Sequence, residues 1–274
     1  MRSSSSQNEP NEKNIIAEGK AGQGNGRAGV GEVNVVGLGP GSMEDMTPRA
    51  LSAIKNSDVV AGYNTYIKLI EELLKDKEVI GTAMMQEIDR CRAAVERAAQ
   101  GSRVAVVSSG DSGVYGMAGL VLELAMQYPE KNRPQVNVIP GISAVNAAAA
   151  ILGAPLMHDF AVISLSDLLT PWDLIKKRIE LAAQGDFVTA FYNPKSKKRV
   201  TQIEEVREIM LKYKDGATPV GIVHSASRED ENYVLSTLAD FTKEHIDMFS
   251  LVIIGNSNTR VENGRMITPR GYVL

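Results

Sequence analysis

From Glu32 onward, short runs of β-branched residues alternate with segments whose apolar positions recur every three or four residues. Period two followed by period 3.6 is the signature of strands feeding helices. Strands are expected over residues 33–36, 58–61, 79–80, 103–108 and 136–139. Between them lie helices opening at Thr47-Pro48, over 67–74, around Cys91 and over 115–127, with an Ala-rich helix after Ser143. Thr47 suits an N-cap and Pro48 the first helical position. The stretch Gly153-Ala-Pro-Leu-Met-His-Asp159 breaks the pattern with turn-forming residues, so a boundary is placed there. Beyond it, strands are expected over 160–165, 187–192, 220–224, 233–235 and 249–254, with helices over 172–183, 201–213 and 239–245. Strands with little chain between them pair antiparallel, because a parallel crossover needs a dozen or more residues.

The expected class is therefore α/β, with two domains: a mostly parallel first sheet within 32–152, a linker over 153–159, and a mixed second sheet within 160–274. Residues 1–31, rich in Ser, Asn, Gly and charge, read as a disordered leader.

Composition narrows the chemistry. The 274 residues are 43% hydrophobic and 23% charged, with 30 Lys and Arg against 33 Asp and Glu, for a net charge of −3. Such a balance argues against a binder held mainly to nucleic-acid phosphates, and no apolar run is long enough for a membrane span. One cysteine, Cys91, allows no internal disulfide and points to a reducing, cytoplasmic setting. It falls on a helical stripe with Ile88, Val95 and Ala98, the place of a small core residue. The three histidines, His158, His224 and His245, match no metal-binding spacing, so no metal site is expected.

Three small-residue loops follow strands of the first half: 37–41, 109–113 and 140–143. Ligands of open α/β sheets bind beyond the carboxyl ends of strands, and three such loops together describe a site. The first is not a dinucleotide fingerprint. Gly37 and Gly39 fit, but Ser42 stands at the third glycine, Pro40 lacks an N–H, and Ala61-Gly62 occupies the place of the ribose-binding acid. A phosphate loop of the GxxxxGK[ST] type is absent as well.

The runs Val36-Gly-Leu-Gly-Pro-Gly41 and Met46-Thr-Pro-Arg-Ala50, the Ser109-Gly-Asp111 loop with Tyr115 after it, and Ile139-Pro-Gly-Ile-Ser-Ala144 resemble the tetrapyrrole methylase superfamily. His158-Asp-Phe-Ala-Val-Ile-Ser-Leu-Ser-Asp-Leu-Leu-Thr-Pro-Trp172 and Phe191-Tyr-Asn-Pro-Lys-Ser-Lys-Lys-Arg199 are similar to its precorrin-3B C(17)-methyltransferase branch. The resemblance runs in order over residues 33–254. It implies a two-domain fold with S-adenosylmethionine in the cleft, a tetrapyrrole acceptor methylated at position 17 with ring contraction, and a homodimer. A cobalt-factor III acceptor, or another acceptor of the superfamily, is the alternative.

Residue by residue, the resemblance sets Gly39 and Pro40 at the entrance, and Ser109, Gly110 and Asp111 against the cofactor. Ser143 and Ala144 would lie beside its methionine or adenosine part, with Asn193 contributing from the second half. For a substrate bearing many carboxylates, Lys195 and Arg199 are the expected cations and Tyr63 and Tyr66 the expected packing surface. His158 is the candidate for proton transfer. One departure stands out: Ser112 replaces the Pro of the usual Gly-Asp-Pro and would leave the second loop freer.

Overall fold

A computed structural model of the chain describes residues 29–273. Most of the expected leader, residues 1–28, lies outside them. The first half forms β1 (Glu32–Gly37), α1 (Pro48–Lys55), β2 (Val59–Tyr63), α2 (Asn64–Leu69), β3 (Glu78–Thr82) and α3 (Glu87–Ala99). It continues with β4 (Arg103–Ser108), α4 (Ala118–Met126), β5 (Gln135–Ile139) and α5 (Ala144–Leu152). Its five strands are all parallel in the order β3-β2-β4-β1-β5. The central strands β1 and β4 are buried along nearly their whole length, as a sheet covered on both faces requires. One face packs on α3 and α4, the other on α1 and α2.

The second half contains β6 (Gly153–Ala154), β7 (Phe160–Ser164), α6 (Trp172–Gln184), β8 (Val188–Tyr192), α7 (Gln202–Met210) and β9 (Pro219–His224). β10 (Asn232–Thr237), β11 (Ser250–Ile254), β12 (Arg260–Glu262) and β13 (Arg265–Ile267) complete it. The order β10-β9-β11-β8-β7 is mixed as expected: β7 and β8 run parallel, and β11 is antiparallel to both β8 and β9. Helices α6 and α7 cover one face. The other face is covered by α5, whose Val145, Ala148, Ala149 and Leu152 pack on Val188, Ala190, Val223 and Ile253. Thus α5 follows a strand of the first sheet and buries its apolar face on the second. At Gly221 a Cβ would lie 2.4 Å from Leu152 Cδ1, so only glycine lets the helix approach β9 this closely.

Some local expectations hold and others change. Thr47 caps α1 by accepting from Ala50 N–H at 3.1 Å, with Pro48 first in the helix. Residues 239–245, in contrast, form only a short 3-10 turn at Phe241–Lys243, where Phe241 is buried against α7 in the core of the second half. The helix after the second loop begins at Ala118, because Tyr115 takes a left-handed φ of 56°. Cys91 is fully buried and its thiol is pushed up to about 11 by burial, but Ile88, in the first turn of α3, is 54% exposed and does not share the buried stripe. The stretch expected as linker contains β6, which pairs with β13 in a small third sheet.

Candidate functional site

The strands β4, β1 and β5 are neighbours, so the three loops after them meet at one edge. Leu38 N–H donates to Ser108 O at 2.8 Å, and Gly39 and Gly110 exchange both backbone hydrogen bonds, at 3.1 and 2.7 Å. Gly39 and Gly110 hold φ of 84° and 68°, which favours glycine. A Cβ at Gly141 would stand 2.3 Å from Gly110 O, so the third loop lies directly on the second.

Side chains lock this edge. Asp111 accepts through Oδ1 from the N–H groups of Gly113 (2.8 Å) and Val114 (3.1 Å), and through Oδ2 from Gly141 (3.0 Å). Ser112 is fully buried and donates to Ile139 O at 3.1 Å. The loop expected to be freer without proline is instead pinned to the end of β5 by the very serine that replaces it.

Beside these loops opens a cavity of about 580 Å³. Thr47, Asp111, Gly141, Ser143 and Asn146 line it from the first half, and Phe160 and Val162 from β7. Its volume falls in the range of small-molecule sites, roughly 300–1,000 Å³. Two tyrosines close the junction between the halves. The Tyr192 hydroxyl lies 3.1 Å from Ser143 Oγ and accepts from Val145 N–H at 2.9 Å. Ser143, the N-cap of α5, makes no side-chain cap of its own, so the second sheet supplies the capping oxygen. Tyr115 donates to Val162 O at 3.2 Å, and its ring lies 5.3 Å from that of Tyr192. Burial pushes both phenols above their usual range, keeping them neutral.

Of the residues chosen from sequence, the structure brings Gly39, Gly110, Asp111, Ser143 and Ala144 to this edge, with Ser109 and Pro40 in the adjoining loops. Pro40 O accepts from Arg228 Nε at 3.5 Å, a contact from the second half. Asn193 follows β8 with a left-handed φ of 51°, and its amide donates to Ser164 Oγ at 3.0 Å. Arg199 is turned inward rather than rimming the cleft: it is 9% exposed, and its Nε donates to Asn193 O at 3.1 Å. Asp167 lies 3.9 Å from its Nη1. Burial lowers the Arg199 pKa, as expected for a guanidinium used as an internal brace. Lys195 is half-buried on the same loop, and Lys197 and Lys198 are exposed.

Tyr63 and Tyr66 pack edge to face at 5.3 Å, and Tyr66 lies against the core of the first half. Burial raises the Tyr66 phenol. His158 is exposed just before β7; its Nδ1 accepts from Asp159 N–H at 2.8 Å, which leaves Nε2 to carry the proton of the neutral ring. Sequence reasoning did not single out Tyr192, Thr47, Phe160 or Arg228 for the site. Tyr192 stood inside a quoted string, and only the pairing of α5 with the second sheet reveals its partner. Among the described residues no helix is long and apolar enough to cross a membrane.

Residues 32–242 match the family model of the tetrapyrrole (corrin/porphyrin) methylases. The chain belongs to this family. A cobalt-factor III methyltransferase of Priestia megaterium is 52% identical over 88% of this chain, which spans 45% of that longer relative. A probable cobalt-factor III C(17)-methyltransferase of Salmonella typhimurium is 51% identical, over 88% of this chain and 100% of the relative. The precorrin-3B C(17)-methyltransferase of a Sinorhizobium species is 39% identical over 88% and 97%. Among solved structures, the methyltransferase CobJ superposes with a TM-score of 0.83 at 38% identity, covering 87% of this chain and 100% of that one. The Thermus thermophilus uroporphyrin-III C-methyltransferase complexed with S-adenyl homocysteine shares the fold, with a TM-score of 0.61 at 22% identity over 82% of this chain and 97% of that one.

Proposed function

We propose that this methylase transfers a methyl group from S-adenosylmethionine to C17 of a tetrapyrrole, cobalt-factor III or precorrin-3B, with contraction of the macrocycle in corrin biosynthesis. The observation that carries this reading is identity across 88% of the chain with relatives named for that reaction. Four relatives named for cobalt-factor III are 42 to 52% identical against 39% for the relative named for precorrin-3B, which makes the cobalt-bearing substrate the first to test. The reading includes a cytoplasmic homodimer.

The donor set fits S-adenosylmethionine. The third loop brings its backbone to the cavity at Pro140, Gly141 and Ile142, where Asp111, Ser143, Thr47 and Asn146 offer polar atoms. When bound, S-adenosylmethionine supplies an electrophilic methyl group on a sulfonium sulfur. The chain's task is positioning, which can remove about 7–11 kcal/mol of a barrier when reacting atoms are aligned. Asp111 and Ser112 hold the second loop rigid, and Tyr192 ties the start of α5 to the second sheet, so both walls of the cavity keep one geometry. Phe160 and Val162 keep that wall apolar and help exclude water. His158 is the candidate to receive a proton at Nδ1 once its bond to Asp159 N–H opens. Lys195, Lys197 and Lys198 are the candidates to meet substrate carboxylates, with Tyr63 and Tyr66 as a packing surface.

Incubation with labelled S-adenosylmethionine and each of the two tetrapyrroles tests the reading. Label must enter the macrocycle while the product spectrum changes from the uncontracted form. Label in RNA or protein, or in a macrocycle that stays uncontracted, would overturn it.

A further inference from the structure

His224 ends β9 and Asp247 precedes β11, two strands that run antiparallel with His224 opposite Ser250. The pairing also brings in His245, although the linear spacing of the histidines suggested no metal site. The rings of His224 and His245 are 5.8 Å apart, and a ligand atom from each of His224, His245 and Asp247 lies within 4.8 Å of the others.

Three details separate this cluster from a chance grouping. First, His224 Nδ1 is buried without a hydrogen-bond partner, although Asp247 Oδ1 is only 3.3 Å away. Buried ring nitrogens are normally satisfied, and this one faces a carboxylate in a geometry that makes no hydrogen bond. Second, the opposite nitrogen, Nε2, lies 3.4 Å from Asp230 Oδ2, and Asp230 is itself held by Ser225 Oγ at 3.0 Å. A carboxylate on the far side of an imidazole is the usual outer partner of a metal-bound histidine. Third, Asp247 is fixed in place: its Oδ1 accepts from Phe249 N–H at 2.8 Å and from Ser250 Oγ at 3.1 Å.

We propose that His224, His245 and Asp247 bind one divalent late-transition ion of the zinc class, with Asp230 orienting His224. Zinc bonds of about 2.0–2.1 Å in a tetrahedron put neighbouring ligand atoms about 3.4 Å apart. His224 Nδ1 stands 3.3 Å from Asp247 Oδ1 and His245 Nε2 3.6 Å from Asp247 Oδ2, so each imidazole is already near that spacing from one oxygen of the carboxylate. His245 is 80% exposed and is free to rotate the remaining distance. Two imidazoles and one carboxylate suit zinc, cobalt(II) or nickel rather than magnesium or calcium, which prefer all-oxygen shells.

The site sits at the foot of a strap. Residues 225–231 join β9 to β10, with Ser225 and Ser227 at positive φ. They carry Arg228 over the ring of Phe249 and on to Pro40 O of the first glycine loop. An ion joining the foot of this strap to the residues before β11 would fix the reach of Arg228 across the halves.

The full chain, stripped with a chelator, is titrated with Zn²⁺ by calorimetry and with Co²⁺ by visible absorption. One equivalent is expected, with the intense bands of tetrahedral cobalt. The exposed change His245→Ala, with the fold checked by circular dichroism, should weaken Zn²⁺ by at least about tenfold, and Asp230→Asn by about 10–100-fold. Absence of binding at millimolar Zn²⁺, or unchanged affinity in folded His245→Ala, would overturn the site.

Discussion

Asp111 accepts three backbone N–H groups, and a carboxylate offers about four lone-pair sites, so most of its capacity is spent on holding two loops together. Asp111→Asn puts an NH₂ where one of those donors points and should cost about 1.5–3 kcal/mol. The expected outcome is a lower melting temperature and weaker S-adenosylmethionine binding in the same variant, measured by scanning and titration calorimetry. Unchanged melting with weakened binding would instead make Asp111 a direct ligand contact alone. Tyr192→Phe removes the oxygen that caps α5 at Val145 N–H and should destabilise the protein by about 1 kcal/mol, in line with loss of an N-cap. Denaturant unfolding of the two proteins checks it, and an unchanged midpoint would show that the hydroxyl contributes nothing. Both roles escape a linear reading, because Gly141 and Val145 are distant in sequence from the side chains that satisfy them.

At the scale of elements, the glycine loops are close-packed as well as permissive. Gly141→Ala would drive a Cβ to 2.3 Å from Gly110 O, so the third loop must move off the second. Binding of S-adenosylmethionine should fall by at least about tenfold while the fold survives, a loss of about 1.4 kcal/mol; wild-type affinity in the titration would count against this packing. The parallel pairing of β2 and β4 carries its own electrostatic clasp: Asp58 Oδ1 lies 2.7 Å from Arg103 Nη2, and Asp58 Oδ2 accepts from Arg103 N–H at 2.9 Å. The Arg103 hydrogen bonds hold the Asp58 carboxyl at about 2, below its ordinary 3.8. Protons therefore bind the unfolded chain more readily, and the clasp contributes stability above about pH 4 that is lost as pH falls toward about 2. Asp58→Asn should flatten this acid arm of the stability curve, by a small amount because the pair is half exposed to solvent. Urea unfolding at a series of acidic pH values compares the two slopes, and parallel curves would remove the clasp from the account.

For the whole molecule, the decisive contact is α5 on the second sheet. Cutting the chain after Leu152 would leave Val145, Ala148, Ala149 and Leu152 without the strands that cover them. A fragment of residues 29–152 should therefore bind a hydrophobic dye or aggregate, whereas the full chain should not; a monodisperse, dye-silent fragment would mean that the first half is self-sufficient. The proposed homodimer is checked by light scattering, where a monomer mass across the micromolar range would argue against it.

By itself the sequence determined most of the order of strands and helices, though not β6, β12 or β13, together with the parallel first sheet, the mixed second one, and the three loops that form the candidate site. These follow from residue periodicity, caps and turn residues, which act over a few positions, and the methylase family was legible in the loop motifs. Tertiary structure decided what those loops rest on. Asp111 and Ser112 proved to be braces, Arg199 turned inward, α5 crossed to the other sheet, and residues 239–245 fell short of a helix. It also placed His224 beside His245 and Asp247. The physical reason is common to all of them: a hydrogen bond, a close backbone approach or a shared ligand position depends on atoms brought together by strand order and helix packing, and local periodicity carries no information about which distant atom arrives there.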